Sequence, residues 1–201
     1  MSDSIKTQKE QLAGIAMENP DLLKELVSRM EGTSRRVRQN AASVLAVVSH
    51  QSPELLMPYA NSFVAALDRS EAQTKWESID ILAHLMACGF EVSDSLLDMV
   101  EDALFDEDSG SLRLAAMKFV CSYGSKGERA AVKSWPLIDE AIQCYHGDPE
   151  FSDMLSAVLK FAQSGLPADV SQGLKTRLSF DASHARGSLK KRAQQIIDVL
   201  D

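Results

Sequence analysis

Five nine-residue segments recur along the chain at nearly constant spacing: VRQNAASVL from 37, TKWESIDIL from 74, LRLAAMKFV from 112, FSDMLSAVL from 151 and LKKRAQQII from 189. Successive starts lie 37, 38, 39 and 38 residues apart. In each, a small or apolar residue follows the first position by four, and an apolar pair follows by seven and eight. That spacing marks one buried face of a helix. In the first segment it places Val37, Ala41, Val44, Leu45 and Val48 on the core side. A repeat of this length holds a helix and a helical partner, and it has a core only when its neighbour covers it.

The partners lie between the segments, as PDLLKELVSRM, PELLMPYANSFVAAL, SDSLLDMVEDALF, RAAVKSWPLIDEAIQCY and PADVSQGLKTRLSF. Asn19-Pro20-Asp21, Ser52-Pro53-Glu54 and Asp148-Pro149-Glu150 read as helix starts. The first side chain accepts from free N–H groups, proline suits the first helical position, and the acid meets the positive end of the dipole. Pro58 and Pro136 fall inside expected helices and should kink or split them. Helix pairs are expected over about 20–49, 53–87, 92–124, 129–163 and 166–200, with turns at 124–127 and 164–165 and a longer loop around Phe180–Ser183. Residues 4–17, carrying Ile5, Lys9, Leu12 and Ala13, form an additional N-terminal capping helix. The whole of 1–201 is expected to be one domain.

Composition agrees with helix: Gly and Pro are few, aromatics are 6%, and 45% of residues are hydrophobic. The net charge of −8 opposes nucleic acid and anionic lipid as partners. No apolar run spans a bilayer, and the polar start MSDSIKTQKEQ lacks a secretory h-region, so a cytoplasmic protein is expected. Cys88, Cys121 and Cys144 are odd in number and far apart, which suits three reduced, buried thiols rather than a disulfide framework.

A base holds the second position of four segments, as Arg38, Lys75, Arg113 and Lys190, and an acid precedes three of these by seven residues, as Glu31, Asp68 and Asp106. With the alanine-rich second helix, this pattern resembles the HEAT-repeat (armadillo-like) family over nearly the whole chain. The match is close at 31–45 and 104–120. It is poor in the fourth pair, where Ser152 replaces the base. The resemblance implies an all-α, right-handed α-α superhelix of about five pairs, with the acids and bases forming a structural ladder and the second helices lining a concave groove.

Motifs for chemistry are lacking. GSKGER (124–129) has no Gly-Lys-Ser/Thr ending for phosphate, and His50, His84, His146 and His184 do not have metal-ligand spacing. Cys144 and His146 lie at a helix end where their side chains diverge. The acids Asp106–Asp108 are better placed to cap the helix beginning near Ser109 than to act as general acids. No catalytic residue, cofactor or metal is expected.

Two features point to binding. Residues 71–110 carry eleven acids and one base, Lys75, a net −10, while the flanking stretches are near neutral. On the helical wheel Trp76 falls about 200° from Thr74, away from the buried face. Gln39, Trp76 and Leu114 share one repeat column, which Asp153 and Lys191 complete. Ser43, Asp80 and Lys118 share the next. Facing a groove, these residues would anchor a peptide or helix of basic character. A non-enzymatic interaction scaffold is therefore the expected function. HEAT-like DNA alkylation-repair glycosylases, which present Trp, Asp and Arg to a damaged base, are the alternative class, and the acidity around Trp76 opposes it. Arg186, Lys190, Lys191 and Arg192 form a short basic cluster at the start of the last helix.

Overall fold

A computed structural model describes residues 2–201, the side chains of 2–5 excepted, so the expected placement of the Ile5 side chain lies outside it. Among the described residues there are eleven α-helices and no strand: α1 (Ser2–Glu18), α2 (Pro20–Glu31), α3 (Arg35–Gln51), α4 (Ala60–Ala65), α5 (Ala72–Ala87), α6 (Asp94–Leu104), α7 (Gly110–Gly124), α8 (Glu128–Cys144), α9 (Phe151–Ala162), α10 (Ala168–His184) and α11 (Gly187–Leu200). Two 3₁₀ segments, Pro53–Tyr59 and Ala66–Asp68, flank α4. The chain divides into two compact units, 1–99 and 100–201, and the division falls within α6.

In the first unit α3 packs against α1, α2 and α5. It is buried on more than one face: Ala41, Ala42, Ser43, Val44, Leu45 and Ala46 are all buried. Val37 is not. Expected in the core, it is 42% exposed, because the buried run starts a turn later at Ala41 and leaves the first turn of the helix uncovered. The start at Asn19 is as expected: its side chain accepts from the N–H of Asp21 and Leu22 at 3.1 Å. Ser52 makes no such bond, and the segment it opens is 3₁₀ with Pro58 inside it. Proline there removes an α-type donor and splits the helix, so that α4 starts only at Ala60.

The second unit is built on α7, which packs against α8 and α9, while α11 packs against α9 and α10. Ser109 caps α7 by accepting from the N–H of Leu112, and Asp106 accepts from the N–H of Asp108 and of Ser109. Pro136 is accommodated within a continuous α8. Two helix crossings are close enough to demand glycine. A Cβ on Gly124 would lie 2.6 Å from the Phe161 ring, and one on Gly173 would lie 2.8 Å from the Trp135 ring. Trp135 is thereby seated on α10.

Three sequence expectations change. Asp148 does not start α9, which begins at Phe151, because its carboxylate is taken by Arg113. Phe180–Ser183 is not loop: α10 runs to His184, with Ser183 Oγ bonded to the carbonyl of Ser179 one turn back and Asp181 buried against His146. Of the cysteines only Cys121 is buried; Cys88 and Cys144 lie at helix ends and are exposed.

Candidate functional site

The basic residue at the start of three second helices, Arg38, Arg113 and Lys190, organises its surroundings. Arg38 ion-pairs with Glu71, the residue that precedes α5, and donates to the carbonyls of Gly32 and Thr33 at 2.7 and 2.9 Å. Arg113 reaches Asp148 at 3.2 Å, donates to the carbonyl of Asp106 at 3.0 Å and lies over the Tyr145 ring at 4.8 Å. Lys190 donates to the carbonyl of Ser183. Each base therefore meets carbonyls at the end of the preceding helix or its turn, where the dipole is negative. The two arginines also hold an acid contributed by the following pair.

Glu31 is thus not the partner of Arg38; it accepts from Ser62 through its side chain and from Arg69 through its carbonyl. Asp106 serves Arg113 through its backbone. Lys75 and Asp68 make no ion pair or side-chain hydrogen bond among the described residues, so that rung is missing. Glu71 is buried at 4% exposure, and Arg38 holds its carboxyl down to about 2, well below the usual carboxylate range. The side-chain contacts across the α3–α5 seam run at separations of 30 to 35 residues, and Arg113 reaches Asp148 at 35. The sequence period is longer by about one helical turn, so α3 and α5 are staggered. The outer helices are not: Arg177 of α10 grips Asp139 of α8 with two bonds of 2.6 and 2.8 Å at a separation of 38.

The stagger rearranges the expected groove columns. Ser43 is buried and its hydroxyl donates to Glu77 at 2.8 Å while accepting from the Gln73 amide at 3.1 Å. It is therefore sealed beneath α5 rather than presented on an open surface. Glu77 and Gln73, which the wheel did not select, stand across from it. Trp76 and Asp80, one turn apart on α5, are each half-buried, as is Gln39 on α3. A helix presents residues four apart on one side, so the Trp76 indole and the Asp80 carboxylate share a face. Burial raises the pKa of Glu77, a rise to which Asp80 adds and which Ser43 and Lys9 of α1 oppose. Further along, Ser49 donates to the carbonyl of Ala46 at 2.8 Å and so accepts from His84 Nδ1 at 3.0 Å. Burial and the adjacent His50 ring lower the His84 pKa.

In the second unit Leu114 is half-buried and Lys118 exposed, at the repeat positions that Trp76 and Asp80 hold in the first. His146 bonds to Asp181 at 2.9 Å and packs on Phe151. Among the described residues no group of three His, Cys, Asp or Glu side chains is arranged to hold a metal, and no helix is long and apolar enough to cross a membrane.

No family model matches the chain, and no curated protein matches it. Solved structures do. A designed armadillo repeat protein in complex with the peptide (KR)4 aligns with a TM-score of 0.74 at 16% identity, over 100% of this chain and 92% of that one. Computationally designed armadillo repeat proteins for modular peptide recognition align with a TM-score of 0.67 at 15% identity, over 100% and 95%. A chain from a structure of the interaction between cadherin and beta-catenin aligns with a TM-score of 0.59 at 12% identity, covering 100% of this chain and 45% of that one. The fold is an all-α, armadillo-like helical repeat solenoid.

Proposed function

We propose that the protein is a non-enzymatic scaffold that binds a basic peptide segment, with Trp76, Glu77 and Asp80 of α5 as its anchor. The observation that carries this reading is the half-buried indole one turn from a carboxylate, in a stretch of net −10. A lysine or arginine side chain laid on the indole gains a cation–π contact and the charge of Asp80 and Glu77 together. The likeness in fold to a designed protein that holds (KR)4 supports the choice of ligand class. Ser43 donates to Glu77 from beneath it, and Leu114 and Lys118 hold the corresponding repeat positions on α7.

Fluorescence anisotropy with a labelled peptide of alternating Lys and Arg tests it. Trp76→Ala combined with Asp80→Lys is expected to weaken binding at least ~10-fold, about 1.4 kcal/mol, with the helical content unchanged. Equal binding by the double variant, or equal binding of an all-glutamate peptide, would sink the proposal. A DNA-repair role would show as tight retention of duplex DNA in a low-salt gel shift, which the charge opposes.

A further inference from the structure

Among the described residues, the α10–α11 hairpin carries the most exposed of the large apolar side chains. Phe180 is 69% exposed and stacks on His184 with ring centroids 4.7 Å apart. The bond from Lys190 Nζ to the carbonyl of Ser183, at 3.1 Å, holds the start of α11 beside this ring pair. Arg186, Lys190, Lys191 and Arg192 follow one another with no acid among them. Among the described residues, the side chains of Arg186, Lys191 and Arg192 make no ion pair or hydrogen bond. They also stand at the wrong end of their helix. α11 has no acid in its first turn and no side-chain cap, so its cations face the positive end of its own dipole.

The mirror image of this arrangement lies on α6. Asp98, Glu101 and Asp102 are exposed, and a spacing of three and four residues puts them on one side. No base stands in the last turn of α6, so these acids repel one another and face the negative end of the dipole. Each helix end carries the sign of charge that its own helix opposes, and each supplies what the other lacks.

We infer that Phe180 and the basic start of α11 dock on the acidic face of α6 in a second copy of the chain. The two surfaces are different patches of one molecule, so the contact pairs α11 of one copy with α6 of another; it closes as a two-fold dimer where both patches of each copy meet at once and runs head to tail where they do not. Exposed cations beside an aromatic ring also suit nucleic acid, but the net charge of −8 disfavours a polyanion and favours a partner with its own local acidic face.

Sedimentation velocity over a concentration series tests the contact, in ~20 mM and in ~500 mM salt, which bracket weak and strong screening. At low salt the mean mass should rise above 22.0 kDa with concentration, and at high salt it should return to 22.0 kDa. Lys191→Ala with Arg192→Ala, and separately Asp98→Ala with Asp102→Ala, should each give a monomer with an unchanged circular dichroism melt. Mixed one to one, the two variants retain a single good contact between them and should form a heterodimer and nothing larger. Phe180→Ser should raise the concentration needed for association roughly 10-fold. Trp76→Ala, which weakens the peptide anchor, should leave association unchanged. The inference is overturned by a mass fixed at 22.0 kDa at low salt, by association that survives either double variant, or by a mixture that stays monomeric. Loss of association in Trp76→Ala, or capture of RNA or DNA by a chain that does not associate with itself, also overturns it.

Discussion

Arg38 and Arg113 hold the same position in their repeats, yet the seams they close differ. Arg38 meets a carboxylate whose side chain is 2% exposed, while the acid facing Arg113 is 37% exposed. Glu71 precedes α5 directly and is covered as α5 packs on α3, and Ser70 and Thr74 add hydrogen bonds to it. Asp148 sits on a turn that water reaches, and Arg113 makes up the difference by lying over Tyr145, whose hydroxyl is itself bonded to the carbonyl of Leu104. One sequence mark thus produces a sealed ion pair in one unit and a solvated, stacked one in the other. Burial is what separates them, because removing one member of a dry pair strands the other while water rescues a wet one.

The largest test of this contrast is a pair of isosteric substitutions. Glu71→Gln should lower Tm by roughly 10 °C, whereas Asp148→Asn should lower it by ~3 °C or less. Equal losses in thermal melts followed by circular dichroism would abolish the distinction. Acid titration should sharpen it next. The folded-state pKa of Glu71 is depressed, so its stabilisation is fully present above the unfolded carboxylate range and is lost as pH falls towards about 2. The stability gap between the native chain and Glu71→Gln should therefore close over that interval, as read by urea denaturation at successive pH values. Arg113→Lys keeps the charge but loses the planar stack and the fork, and should cost about 1 kcal/mol. The smallest effect on stability is expected at Glu77. Burial raises its folded pKa, so its ionised form is penalised at neutral pH, and Glu77→Gln should leave Tm unchanged or slightly higher. The same substitution should weaken the basic peptide measurably in anisotropy. A large fall in Tm would instead make Glu77 part of the scaffold.

Helices were legible because their causes are local. The repeat of small and apolar residues, the Asn19 cap and the glycine turns all act within a few positions. What lay outside the sequence was lateral. The period of the repeat does not reveal that α3 and α5 sit about a turn out of register, and so it did not point to Glu71 for Arg38 or Glu77 for Ser43. Nor does periodicity show where a helix ends relative to its neighbours, which is why Val37 reads as core and stands in solvent. The wheel placed Trp76 off the buried face, where its side chain is half-buried, whereas the stretch around the other tryptophan gave no hint that Gly173 makes room for Trp135.

The reach of Arg38 to Glu71 has a consequence for how the chain is made. When the ribosome has released α3 but not yet residue 71, the guanidinium has its two carbonyl partners and no counter-charge. The first pairs are completed only by what is synthesised after them. Nascent-chain lengths just short of and just beyond α5 should therefore differ sharply in protease resistance, which sets a direction on assembly that the finished molecule no longer displays.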